Sequence, residues 1–123
     1  MKNPYSKLTD GEISVLVCRQ EKPRCHVQLH PYNPKGAMYK RTSAPAREGF
    51  SFFPMTRADD GFPIVARNRI ALAPVSKTTW EARHESGAAA RHKNPLRAGM
   101  IVYLMICDME AKGLSPETEL HRE

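Results

Sequence analysis

The sequence predicts an α+β fold: a capped N-terminal helix, a small antiparallel β-sheet and a buried C-terminal helix. Three observations predict it. A helix-start signature opens the chain; six of the ten prolines fall between Pro31 and Pro74; and an apolar run, residues 98–107, comes near the end. Prolines at that density exclude long helices from the middle, because each removes an N–H donor and clashes with the preceding turn.

The first helix is set by LTDGEISVLVCRQ. Thr9 is the expected N-cap and Glu12 stands three residues on, the two halves of a capping box. Leu8 and Ile13 flank it as a hydrophobic staple. Ile13, Leu16 and Val17 share one face, and Lys22-Pro23 stops the helix near Gln20.

Strand signals follow. CHVQLH, residues 25–30, alternates Cys25, Val27 and Leu29 with His26, Gln28 and His30, as a half-buried strand does. HPYNPKG is a turn. AMYKR and GFSFF are short strands on either side of the loop TSAPARE. TRADDGFPIVARN is expected to be a loop with one helical turn, entered near Asp60 or Gly61 and left at Asn68. RIALA and TTWEAR are strands, with Trp80 and Ala82 on one face, and the small, polar HESGAAARHK is expected to be a mobile loop.

The closing helix runs from about Pro95 to Lys112. Asn94 is a favoured N-cap, Pro95 a favoured first residue and Gly113 a favoured C′ residue. Its apolar residues cover every side, so it must be buried on every side. Met100 and Leu104 belong to its core. The polar tail from about residue 114 is expected to fray. One domain over residues 1–123 accommodates all of this, since a chain of this length supports one modest core.

The 19 basic and 13 acidic side chains leave a net charge of +6. That balance favours an anionic partner: nucleic acid, a nucleotide or an acidic protein face. Cys18, Cys25 and Cys107 form no CxxC pair, which reads as reduced thiols in the cytoplasm. The N-terminus has no apolar signal region, and the longest apolar run is too short to span a bilayer.

No catalytic constellation stands out. His26, His30, Cys25 and Cys18 lack the tight ligand spacing of a structural zinc site and read as sheet-surface histidines and structural thiols. Asp59 and Asp60 read either as an acid/base pair or magnesium ligand, or as a turn and helix cap. The junction at residues 91–97 is the foremost binding candidate. Arg91, His92 and Lys93 precede Asn94, and Arg97 projects from the first turn, where free N–H groups suit a phosphate or carboxylate. The competing expectation pairs Arg97 with an internal carboxylate, Asp59 or Asp60. Trp80 stacks on a base or fills the core, and Tyr32 and Asn33 carry the same two readings.

The order YSKLTDGEI, ADDGFPIVARNRIAL, Trp80 and KNPLRAGMIVYLM resembles the phage NinX-like proteins of lambdoid phages and prophages. The closing block is similar to the family's N-P-L-R-A-A-M-I-V-F-L-M, with Gly99 and Tyr103 as departures. The opening block is similar to Y-S-x-L-S-D-x-E-I. The middle resembles A-D-A-W-P-I-I, with Phe62 where tryptophan is usual and one extra residue. The resemblance implies an accessory role in the host cytoplasm and carries no established activity.

Together these readings lead to a non-enzymatic binder of an anionic, nucleotide-type signal or of a host factor, serving counter-defence. A nucleic-acid-binding factor in phage recombination or regulation is the first rival. A nucleotide-modifying enzyme working through Asp59, Asp60 or His92 is the second. No cofactor, metal or membrane is called for, and an oligomer stays open.

Overall fold

A computed structural model describes residues 4–43 and 48–113. The tail from 114 and the core of the TSAPARE loop lie outside the described residues. Three helices and six strands follow in the order α1 (Asp10–Glu21), β1 (Cys25–Leu29), β2 (Ala37–Arg41), β3 (Phe50–Phe52), α2 (Ala58–Arg67), β4 (Ala71–Pro74), β5 (Trp80–Arg83), β6 (Ala89–His92) and α3 (Pro95–Ala111). This is the expected α+β class. Its β-structure is divided into two antiparallel sheets, β1-β2-β3 and β4-β5-β6.

Both outer helices are capped as their local sequence dictates. Thr9 accepts from the Glu12 N–H while the Glu12 side chain accepts from the Thr9 N–H, closing the capping box. Asn94 Oδ1 accepts from the N–H groups of Leu96 and Arg97, with Pro95 between them contributing no donor. Gly113, at φ +70°, takes the left-handed conformation beyond the end of α3.

Helix α3 is the hub, touching α1, α2 and all three strands of the second sheet. Every residue from Arg97 to Leu104 is buried, with Met100 and Val102 fully so. Burial of each large apolar side chain contributes about 1.5–3 kcal/mol. Further along, Met105, Cys107 and Met109 are only partly covered. Helix α1 covers one face of the first sheet and packs its other side on α3.

Two expectations are corrected. The segment TRADDGFPIVARN forms a full ten-residue helix rather than one turn in a loop. Pro63 lies inside it, so Asp59 loses an intrahelical donor, but burial of Ile64 and Val65 against α3 outweighs that loss. Gly61 permits the approach: a β-carbon there would lie 2.0 Å from the Pro54 carbonyl oxygen.

The stretch HESGAAARHK is not a loop throughout. Only its first half turns, closed by His84 N–H to Ala88 O at 3.0 Å, and the rest is β6. Alanine has little intrinsic strand preference. Here the small residues serve packing, because Ala82 and Ala90 pair across β5 and β6 beneath α3.

Candidate anion-binding surface

The junction ahead of α3 is built from β6 and the first turn of the helix. Alternation along β6 sends Arg91 and His92 to opposite faces. Arg91 lies on the outer face, its Nε 2.9 Å from Glu81, which also holds Arg83 at 2.9 Å. Hydrogen bonding from Arg91 holds the Glu81 carboxyl below its usual range. Lys93 is exposed.

His92 faces Trp80 across the β5–β6 pair, and Trp80 is half-buried. The His92 Nδ1 accepts the Asn94 N–H at 2.9 Å. Burial, and then the nearby Arg97, lower the His92 pKa. Asn94 donates its own side-chain N–H to the Met55 carbonyl at 2.9 Å.

Arg97 is 6% exposed. It donates to Asp10 Oδ1 at 2.5 Å, to the Leu8 carbonyl at 2.7 Å and to the Ser6 carbonyl at 3.4 Å. Its partner is therefore Asp10, not Asp59 or Asp60. Asp60 instead accepts the Phe53 N–H at 2.9 Å, and Asp59 is exposed on α2. Since Ala98 N–H goes to the Asn94 carbonyl, the first N–H groups of α3 are taken up inside the fold. Trp80, His92, Asn94 and Arg97 thus form one chain of neighbours, whereas Asp59, Asp60, Tyr32 and Asn33 stand apart from it.

Tyr32, 89% exposed, sits in the β1–β2 turn. His30 Nδ1 accepts the N–H groups of Tyr32 and Asn33, and Asn33 Oδ1 accepts from Lys35. These bonds order the turn. Among the described residues no group of three or more His, Cys, Asp or Glu is placed to hold a metal, and all three cysteines are free thiols.

A cluster of basic residues lies elsewhere, drawn from segments apart in sequence. Arg19 and Lys22 come from the end of α1, Arg24 from the turn that follows, and Lys40 and Arg41 from β2. None of these five enters an ion pair among the described residues; Arg67, Arg83, Arg91 and Arg97 do. Antiparallel register sets Cys25 opposite Arg41 and His26 opposite Lys40. Lys22 Nζ lies 5.3 Å from the centre of the Tyr39 ring, and Tyr39 stacks on Phe50 at 5.5 Å and 28°. Phe50 is 58% exposed.

Arg19, Lys22 and His26 line a cleft of about 450 Å³. His26 also walls a smaller cleft of about 150 Å³ with Gln28, Met38 and Lys40. Cations at the end of α1 are favoured by the helix dipole, so the fold bears their concentration there easily.

The family described as Bacteriophage P22, NinX, matches residues 4–106. The chain belongs to the bacteriophage NinX family. No curated protein matches it in sequence. In this NinX chain the opening and closing motif blocks meet in space. Arg97 and Asn94 of the closing block lock and cap α3, and Arg97 binds Asp10 and the Leu8 carbonyl of the opening block. Tyr5 also hydrogen-bonds Asp108. These contacts of the opening block with α3 hold this fold together. Phe62, in the middle block, is 56% exposed on α2.

No helix among the described residues is long and apolar enough to cross a membrane.

Proposed function

We propose that this NinX chain is a phage accessory protein of the host cytoplasm that acts by binding rather than catalysis, and that its partner is single-stranded nucleic acid. One observation carries the reading: Lys22 and Arg41, which have no carboxylate partner among the described residues, lie on the sheet face that carries a half-open aromatic stack, Tyr39 on Phe50. Cations that track a phosphate backbone, interleaved with rings on which bases stack, are what sequence-tolerant single-strand binding requires. A nucleotide-type signal or a host protein held at the α3 junction has less support, because Arg97 and the helix N–H groups are engaged within the fold.

Fluorescence anisotropy with a labelled single-stranded oligonucleotide tests it. Affinity should fall steeply with salt, by roughly 0.7 log units per log unit of salt for each phosphate contacted. Phe50→Ala should weaken binding by about 1–3 kcal/mol, and Lys22→Glu with Arg41→Glu should weaken it further. Absence of binding at low salt, or affinity indifferent to both changes, overturns the reading.

A further inference from the structure

Strand β1 is an edge of its sheet, and it is left without the usual protection. Edge strands are ordinarily blunted by short length, proline or charge. Here β3 has three residues, β4 carries Pro74 and β6 carries Arg91, whereas β1 runs five residues, CHVQL, with no proline, lysine or arginine.

The pairing pattern shows which backbone groups point outward. His30 N–H donates to the Gly36 carbonyl at 3.0 Å, so that pair is the bonded kind. Antiparallel alternation makes Gln28–Met38 and His26–Lys40 bonded as well. Val27 and Leu29 therefore turn their N–H and C=O groups to the free edge.

Alongside that edge runs a groove of about 550 Å³ between α1 and β1. Leu8, Leu16, Val27 and Leu29 make it apolar, and Leu29 is 52% exposed. Glu12 stands at one end. At the other, Arg19 and Val27 join it to the 450 Å³ cleft that contains Lys22. Helix and strand run in opposite directions, since Gly11 lies by Leu29 while the Lys22 carbonyl accepts the Cys25 N–H.

We infer that a second copy of this chain seats in the groove, with β1 paired antiparallel to its own copy about a two-fold axis at Val27. A two-fold contact must be self-complementary, and this groove is. Rotation brings Arg19 of one copy to Glu12 of the other, and an apolar centre to an apolar centre. Val27 then exchanges both backbone bonds with Val27 of the second copy. The two sheets become one of six strands, and the two α1 helices cover each other's Leu8 and Leu16. An extended peptide would satisfy the strand edge and leave those leucines half-covered.

Sedimentation of the full chain over the micromolar range tests the inference, with circular dichroism as the check on folding. The unaltered chain should be dimeric. Leu16→Glu, and separately Arg19→Glu, should weaken the dimer tenfold or more and stay folded. Glu12→Lys should also weaken it; because Glu12 closes the capping box, its melting is followed too. Mixing the Glu12→Lys chain with the Arg19→Glu chain should restore a heterodimer, since both facing pairs are then opposite in charge. An unaltered chain that stays monomeric throughout, whether or not it captures extended peptides, overturns the inference. So does dimerisation indifferent to Leu16→Glu.

Discussion

Arg97 and Asp10 are separated by 87 positions in sequence, yet their side chains meet at 2.5 Å and tie the first turn of α3 to the first turn of α1. The Arg97 side chain is 8% exposed and that of Asp10 is 31% exposed. Arg97→Gln should therefore destabilise the protein by about 3 kcal/mol, the low end for breaking a buried pair, because Asp10 can partly rehydrate. Asp10→Asn should cost more, since it strands a buried guanidinium. Thermal melting of both variants checks the order; an Arg97→Gln protein that melts like the parent would refute the lock.

Helices α2 and α3 meet at Gly99. A β-carbon there would lie 2.8 Å from Val65 Cγ2. Gly99→Ala, although alanine is usual in the family at this position, should cost about 1–3 kcal/mol through overpacking. Gly99→Ala combined with Val65→Ala should recover part of that loss, because the obstructing methyls are gone. Denaturant titration of the parent, the two single variants and the double variant measures the coupling. Equal stabilities for Gly99→Ala and the parent would show that Val65 moves freely.

The core of α3 makes a complementary prediction. Leu104 is 3% exposed, and Leu104→Ala should cost about 2–5 kcal/mol by leaving a cavity. A melting temperature unchanged by Leu104→Asp would be incompatible with this packing.

His92 should make stability fall on mild acidification. Its folded pKa is lowered from the ordinary 6.5, by burial first and by Arg97 second. The unfolded chain then takes up the proton more readily, so the contribution is complete above pH 6.5 and is lost as pH drops through the lowered folded value. Protonation also removes the lone pair on Nδ1 that accepts the Asn94 N–H. Melting at pH 7.5 and pH 5.5, about a unit on either side of the ordinary value, should differ more for the parent than for His92→Gln. Identical slopes would exclude His92 as the source.

The three thiols should react at different rates. Cys18 is fully buried, and that burial pushes its pKa up to about 12. It should react only on unfolding. Cys25 and Cys107 are half-buried, and burial also raises Cys107. Timed labelling with a thiol reagent should therefore modify Cys25 and Cys107 in the native protein while Cys18 stays intact. Labelling of Cys18 at the same rate would place it at the surface.

Local chemistry made the ends of this protein legible in its sequence. The Thr9–Glu12 box, the Asn94-Pro95 start and the Gly113 stop act over three or four residues, so the string of letters contains every partner they need. Periodicity in CHVQLH likewise assigned its two faces. Beyond that range the tertiary structure decided. Pro63 sits within a helix because α3 buries Ile64 and Val65, and Ala90 lies in a strand because α3 needs small residues beneath it. Arg97 found Asp10 because α1 and α3 pack with their first turns together; no local spacing announces a partner 87 residues away. Lys22 meets Tyr39 because α1 packs on the face of β2 that carries that ring. Strand register and long-range ion pairs depend on which chain segments are brought together. Helix caps do not, and that is why the caps could be read first.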